Sequence, residues 1–351
     1  MKSSIRARRV LAGAMAAAAV ATPVAHGAPS TVAYDTFNKP GYSLDDYAAK
    51  WANPYGPLEM ANADTRSFAG KRFSVSAVPF TQSADFSVFD HLKYIGVSTT
   101  AFPVPDAGSL TFSAEITAST PGTIPGLTQQ GLFGAPFTWR DPFDPPAPPD
   151  YQALVLQGQQ AGVVLNMVDF CTGQLFDWFV AGETAFPLIE GLPTNVTGNT
   201  ANPDCPQATH VGRELMYTQI IEEVPVKPGV AHTVAIRYTR QRDDAVVAYF
   251  LDGKRVAQVE NVGIPLDAQG VPYTGIYPVL GHGEPLHDQI ASFSIGHGLF
   301  SLLDAFPFQH PDAPELSVSI PTGPGPAGSA RLFGQGAAGT FDNFMVTTDA
   351  K

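Results

Sequence analysis

The chain has 351 residues, of which 44% are hydrophobic and only 15% are charged, with 33 glycines and 32 prolines. So many glycines and prolines favour turns over long helices, and the apolar content is sufficient for a large core. The formal net charge is −12 and no basic stripe offsets it, which argues against nucleic acid as a partner.

The first 28 residues have the features of a secretory signal peptide. A basic start is followed by an apolar run from Leu11 to Ala21, which is shorter than the ~20 residues that a membrane-spanning helix needs. The pair Arg8-Arg9 leaves twin-arginine export of the folded protein open as an alternative. We therefore expect residues 1–28 to be cleaved, the mature protein to be secreted or periplasmic, and no segment to span a membrane.

Residues 29–351 are predicted to form a single β-sandwich domain with an N-terminal extension over about 29–70. Ser43 to Lys50 predicts a short helix, because an N-cap serine precedes acidic residues and good helix formers. Leu299 to Phe306 predicts a second short helix. The proline-rich stretches 141–150 and 321–328 are interpreted as long loops of the same domain.

Twelve segments alternate between apolar and polar residues or are rich in β-branched and aromatic residues, which predicts strands. They are Arg72–Val78, Leu110–Thr117, Tyr151–Gln157, Gly162–Phe170, Gln174–Val180, Leu215–Glu223, His232–Thr239, Ala245–Leu251, Arg255–Glu260, Ala291–Ile295, Leu316–Ile320 and Thr340–Thr347. Asp252-Gly253 between two of them predicts a two-residue type I′ hairpin turn.

The only two cysteines are Cys171 and Cys205. In an oxidising compartment they predict one disulfide, and two unpaired thiols are the alternative.

The second half of the chain resembles the concanavalin A-like, laminin G-like jelly rolls, and most closely a secreted bacterial and fungal family of unknown function. The resemblance rests on the hairpin Tyr249–Val256 and on the closing segment Gly339–Thr347. It implies an all-β, two-sheet antiparallel jelly-roll sandwich with long loops and one or two short helices. This fold carries lectins, glycoside hydrolases, lyases and adhesive modules. The Glu-x-Asp-x-x-Glu strand of its glucanases is missing here, which weakens the hydrolase interpretation.

A histidine-rich segment, from His282 to His310, is the densest group of polar residues. His282, Glu284 and His297 could ligate a metal, and Glu284 with His287 could act as acid and base. The many glycines also fit an ordinary loop whose histidines bond the backbone. No metal site is therefore assigned, and no cofactor is predicted, with calcium left open.

A second group combines aromatic and acidic side chains. Trp139, Trp178 and Tyr217, together with His282, are candidate ligand-binding residues, because an aromatic face beside a carboxylate grips a sugar ring. Core packing explains Trp178 as well. Asp177 and Glu222 are further candidates for acid or base.

The sequence thus predicts a secreted, lectin-like sandwich that binds a carbohydrate or another polyhydroxylated ligand. A glycan-degrading enzyme of the same fold is the first alternative, and an adhesive module without a small ligand is the second. The oligomeric state is left open.

Overall fold

A computed structural model of the chain describes residues 28–53, 65–80, 92–122, 128–132, 152–157, 161–191, 217–241, 244–262, 284–285, 290–301 and 336–351. Its strands are numbered in chain order. The first sheet contains β1 (Ser30–Asp35), β3 (Thr65–Ser67), β4 (Phe73–Ala77), β6 (Gly108–Ser119), β14 (Ala231–Gln241), β15 (Asp244–Leu251), β16 (Lys254–Val259) and β20 (Ala337–Ala350). The strand order is β16-β15-β14-β6-β20-β4-β3, and β1 also pairs with β20.

The second sheet contains β2 (Trp51–Ala52), β5 (Leu92–Pro103), β9 (Ala161–Val168), β10 (Gln174–Ala181), β11 (Thr184–Gly191), β12 (Tyr217–Ile220), β13 (Val224–Pro225) and β19 (Ser292–Ser301). Its order is β12-β11-β10-β9-β19-β5-β2, with β13 paired to β11. Two small ribbons pair β7 (Thr128–Leu132) with β8 (Gln152–Gln157) and β17 (Asn261–Val262) with β18 (Glu284–Pro285).

The two large antiparallel sheets pack face to face, which confirms the predicted all-β jelly-roll sandwich. Side chains of both sheets form one core between them. Hydrogen bonds also cross the core: Trp178 Nε1 donates to the Ala235 carbonyl at 3.0 Å, and Tyr249 Oη donates to the Leu188 carbonyl at 2.9 Å. Since these are large, fully buried side chains, each polar tip needs such a partner.

The sheets differ in their outer faces. Along β4 and β6 of the first sheet, buried residues alternate with partly exposed ones, as expected when one face meets solvent. Along β9 and β10 of the second sheet, every residue is buried. These two central strands are therefore covered on both faces.

Two local predictions are confirmed. Asp252 and Gly253, with φ of 50° and 77°, join β15 to β16 in the predicted hairpin. Helix α1 (Leu44–Ala48) begins at Ser43, whose hydroxyl accepts from the Asp46 amide while the Asp46 carboxylate accepts from the Ser43 amide.

The helix predicted over Leu299 to Phe306 is wrong for its first three residues, which are the end of strand β19. Leu299 is fully buried and pairs with both Tyr94 and Val163, so strand neighbours on both sides override the local helical signal. Residues 302–306 lie outside the described ranges.

The stretch predicted as an N-terminal extension contributes strands to both sheets. β1 pairs with the last strand, β20, and β2 pairs with β5. Between them the buried Asp35 carboxylate accepts from Tyr42 Oη at 2.6 Å and from Trp51 Nε1 at 3.0 Å, and forms an ion pair with Lys50 at 3.2 Å. Within the described ranges, no helix is long and apolar enough to cross a membrane.

Candidate functional site

The outer face of the second sheet, directed away from the first sheet, is mostly apolar. Its hydrophobic cluster is separate from the core between the sheets and consists of Leu92, Ile95, Val97, Val164, Phe179, Ala181, Phe186, Leu188 and Phe300. Polar groups are costly in such surroundings unless they are hydrogen-bonded. The few polar side chains on this face are therefore the natural candidates for a function.

Three of them lie on adjacent central strands, and we call Asn166, Asp177 and Glu190 the polar cluster. Asn166 on β9 is directly paired with Asp177 on β10, and Asn166 Nδ2 donates to Asp177 Oδ1 at 2.6 Å. On β11, Leu188 is paired with Asp177, and Glu190 follows two residues later. Because side chains alternate between faces, Glu190 is on the same face as Asp177 and diagonal to it.

The polar cluster has unusual electrostatics. Burial raises the pKa of Asp177 well above its ordinary range, the negative charge of Glu190 raises it further, and the hydrogen bond from Asn166 lowers it. Asp177 and Glu190 are only 1% and 8% exposed, so solvent screens their repulsion little. The arrangement therefore favours the protonated, uncharged form of Asp177.

One acceptor of the cluster is unused. Asn166 Oδ1 is buried and has no hydrogen-bond partner among the described residues. Gly296 pairs with Asn166 on the neighbouring strand, and a Cβ atom added to Gly296 would come within 3.2 Å of Asn166 Oδ1. A side chain at Gly296 would therefore crowd Asn166, and the glycine allows the two strands to pack closely at this oxygen.

A row of aromatic side chains lies beside the polar cluster on the same face, two residues further along β10 and β11. Phe179 and Phe186 pair across β10 and β11 and stack at 5.1 Å with an angle of 13° between their rings. Phe300 meets Phe179 edge-on at 5.9 Å. The face therefore presents carboxyl and amide groups next to flat apolar rings.

The comparisons with known proteins give a family and a fold. The family model described as a family of unknown function, DUF6081, matches residues 148–350. The chain belongs to this family. The matched region holds all three residues of the polar cluster. No curated protein matches the chain.

Several solved structures share the sandwich at low similarity. An endo-1,3-beta-glucanase from Streptomyces sioyaensis is 10% identical, with 95% of this chain and 100% of that chain covered and a TM-score of 0.35. A family 7 alginate lyase, A1-II′, is 8% identical, with 92% and 93% covered and a TM-score of 0.38. The carbohydrate recognition domain of Emp47p is 8% identical, with 87% and 99% covered and a TM-score of 0.28. At these values the likeness carries no conclusion about ligand or reaction.

The aromatic and acidic candidates do not form one site in the structure. Asp177 lies in the polar cluster. Trp178, its neighbour on β10, points into the core and is fully buried, which favours the core-packing interpretation that the sequence left open. Glu222 is exposed beyond the end of β12 and is not part of the cluster. Tyr217 begins β12, and its strand pairs with β11 next to Glu190.

Several other predicted site residues are not among the residues that the structure describes. Trp139, His282, His287 and Cys205 are outside the described residues, and of Glu284 only its place on β18 is described. The contacts of these residues and the Cys171–Cys205 disulfide therefore stay predictions. No group of three or more histidine, cysteine, aspartate or glutamate side chains suited to a metal occurs in the part of the chain that the structure describes.

His297, a candidate metal ligand, lies in the core instead. Tyr94 Oη donates to Tyr47 Oη at 2.8 Å, and Tyr47 Oη is 2.7 Å from His297 Nε2. The other ring nitrogen, Nδ1, has no hydrogen-bond partner among the described residues. The Trp51 ring is 4.4 Å away, centroid to centroid. Burial lowers the pKa of His297 to about 3, so the ring is neutral at physiological pH.

A groove of about 290 Å³ lies on the outer face of the first sheet. It is lined mainly by short side chains of β3, β4, β6 and β20, including Ser76, Thr117, Ser119 and Thr340. Its lining contains no carboxylate or histidine side chain, so it offers no acid or base. Among the described residues, the polar cluster is therefore the better candidate for a functional site.

Sequence reasoning missed two of the three cluster residues, Asn166 and Glu190. The signal was a single polar residue in the middle of an apolar run, as in Val163-Val164-Leu165-Asn166-Met167-Val168. Only the register of the strands shows that these isolated polar residues meet.

Proposed function

We propose that this protein is a carbohydrate-binding β-sandwich whose ligand face is the outer face of the second sheet. One observation carries the proposal: the polar cluster lies in the centre of an otherwise apolar sheet face, with an unused acceptor. A sugar ring has hydroxyl donors at its rim and an apolar face, so it matches carboxyl and amide groups beside aromatic rings.

The energetics of the cluster support a role in binding. Asn166 Oδ1 is buried without a hydrogen-bond partner among the described residues, and burial together with the charge of Glu190 disfavours the ionised form of Asp177. Both effects lower the stability of the folded protein. A ligand that donates a hydrogen bond to Asn166 Oδ1 removes the part of this penalty that the unpaired oxygen causes. The free energy that the unbound protein loses through this penalty is then regained on binding and makes the ligand bind more tightly.

The shielding of this face has a consequence for binding. Asp177 and Glu190 are almost inaccessible in this structure, so they must become accessible before a ligand can contact them. We expect association to be slower than for a preformed open groove.

A glycan-degrading enzyme is the second candidate, and the raised pKa of Asp177 favours it. A protonated carboxyl group beside a second carboxylate is the arrangement of a general acid with its base or nucleophile. In this version Asp177 would protonate the leaving oxygen, and Glu190 would act as the second carboxylate.

Other parts of the proposal rest on the sequence alone. Trp139, Tyr217 and His282 are proposed as additional ligand contacts. Export through the leader 1–28 and the Cys171–Cys205 disulfide belong to the same proposal, because a secreted protein meets extracellular glycans in an oxidising environment.

The test measures retention and product release together on a panel of bacterial, plant and algal polysaccharides. The purified protein is compared with Asp177→Asn and Glu190→Gln, and with Glu183→Gln as a matched control in the exposed turn between β10 and β11. Retention that is weakened by both cluster variants and unaffected by the control supports binding. Product release that Asp177→Asn abolishes would make the protein an enzyme. Absence of retention and product would refute the carbohydrate proposal and favour the adhesive alternative.

A further inference from the structure

Two arginines lie on the outer face of the first sheet, on the side formed by β14, β15 and β16. Arg237 on β14 and Arg255 on β16 are both exposed. Phe250 on β15 lies between them, is partly buried and pairs directly with Arg255. Arg237 pairs with Ala248, two positions before Phe250, so Arg237 and Phe250 are diagonal neighbours on the same face.

The guanidinium group of Arg237 is held by two contacts. Its Cζ atom lies 4.8 Å from the centroid of the Phe250 ring, within the range of a cation–π interaction. Its Nε donates to Thr111 Oγ1 on β6 at 3.2 Å. Neither contact uses a terminal nitrogen as a hydrogen-bond donor, so the planar fork that matches the two oxygens of a carboxylate remains available. Arg237 is therefore positioned in advance for an anion, which lowers the entropy lost on binding.

Neither of these two arginines forms an ion pair with a carboxylate of the described residues. Arg255 Nη1 donates to the neutral amide oxygen of Gln258 at 2.7 Å. Glu115, the acidic residue of the neighbouring strand β6, is instead paired with Arg72 at 2.9 Å. Within the described part of the chain, the two guanidinium groups are thus free to pair with an anion from another molecule.

The charge of the whole protein limits which anion this is. The net charge of −12 repels polymers as densely charged as nucleic acid, which carries one negative charge per about 1.7 Å. Adjacent strands lie about 4.8 Å apart, so β14 and β16 are roughly 10 Å apart, and a chain with spaced carboxylates can reach both arginines. A uronate ring carries its carboxylate rigidly, so it loses less conformational entropy than the flexible side chains of an acidic peptide.

We propose that Arg237, Phe250 and Arg255 form a binding surface for acidic glycans whose rings carry carboxylates, and we call these three residues the arginine surface. Arg237 binds one carboxylate through two parallel hydrogen bonds, and Arg255 binds a second carboxylate of the same chain. The arginine surface is on the first sheet, whereas the polar cluster is on the second. The inference therefore goes beyond the proposed function and does not depend on it.

The experiment measures the affinity of the whole protein for tetramers of galacturonate and of glucuronate, and for their methyl esters. We expect the acids to bind at least about tenfold more tightly than the esters, because charge-assisted hydrogen bonds are about twice as strong as neutral ones. Arg237→Gln should remove most of this preference, and Phe250→Leu should weaken binding about threefold through loss of the cation–π contact. Lys227→Gln, which removes the same charge from an exposed position before β14, should bind normally. Thermal unfolding shows whether each variant is folded.

Tetraglutamate separates recognition of a glycan from attraction of any carboxylate. If tetraglutamate binds as tightly as the uronates and depends on Arg237 to the same extent, the glycan assignment is overturned. Binding of neither uronate, equal affinity for acids and esters, or equal losses in Arg237→Gln and Lys227→Gln would overturn the arginine surface itself. Asp177→Asn should leave uronate binding unchanged, and a loss equal to that of Arg237→Gln would contradict a site on the first sheet. Retention of neutral polysaccharides tests the proposed function separately.

Discussion

The buried imidazole of His297 should make the stability of the folded protein depend on pH. In the folded state the pKa of this ring is about 3 rather than its ordinary 6.5, because burial among aromatic rings disfavours the charged form. The unfolded chain therefore takes up a proton on His297 below pH 6.5, while the folded chain does not do so until about pH 3. The stability contributed by neutral His297 is complete above pH 6.5 and is lost progressively as pH falls towards 3.

The size of the effect follows from the two pKa values. Between pH 8 and pH 5 the proton taken up by the unfolded chain lowers the free energy of unfolding by about 2 kcal/mol, and by about 3 kcal/mol at pH 4. Other groups also titrate in this range, and Asp177 acts in the opposite direction because its pKa is raised. A single wild-type measurement would therefore mix several contributions.

The variant His297→Gln isolates the contribution of the histidine. Glutamine does not titrate, and its amide can still accept from Tyr47 Oη. Urea unfolding of both proteins at pH 8 and pH 5 gives four free energies. We expect the wild type to lose about 2 kcal/mol more than the variant between the two pH values. Equal losses, within about 0.5 kcal/mol, would refute the assignment of His297 as a neutral core residue.

Three further substitutions test other parts of the structure. Asp177→Asn should raise the free energy of unfolding more at pH 8 than at pH 4, because burial and Glu190 raise the pKa of Asp177 and its ionised form is destabilising above the ordinary pKa. An equal change at both pH values would contradict the raised pKa. Gly96→Ala should lower the free energy of unfolding by about 1–3 kcal/mol, since the new Cβ would come within 2.3 Å of Tyr47 Oη. Thermal unfolding measures this change, and an unchanged melting temperature would contradict the packing. Ser43→Ala should cost about 1 kcal/mol in urea unfolding through loss of the helix cap, whereas Ser43→Asp should retain most of the stability.

The sequence predicted correctly those elements whose conformation depends on residues close together in the chain. The Asp252-Gly253 turn and the cap at Ser43 depend on neighbouring residues, and both are as predicted. Strands β5 and β11 were missed, because most of their residues are buried and their sequences therefore do not alternate. The segment around His297 was interpreted as a glycine-rich loop for a related reason: Gly296 and Gly298 fit between neighbouring strands rather than forming turns.

The candidate site was only partly visible in the sequence. Asp177 was a weak candidate because it lies between aromatic residues, but nothing in the sequence linked it to Asn166 or Glu190. That link depends on the register of three strands, which long-range pairing determines. The histidine-rich segment was a candidate site because its residues are close in sequence. His297 nevertheless contacts Tyr47, which is 250 residues away in the chain.

Photo-crosslinking of a bound glycan would show directly which face of the protein holds the ligand. A tetrasaccharide that the protein retains is labelled with a diazirine, irradiated in the complex, and mapped by mass spectrometry of proteolytic peptides. We expect crosslinks within residues 161–191, reduced in Asp177→Asn and unchanged in Glu183→Gln. Crosslinks confined to the groove on the first sheet, at residues 65–76 and 338–340, would contradict the assignment of the polar cluster as the ligand site.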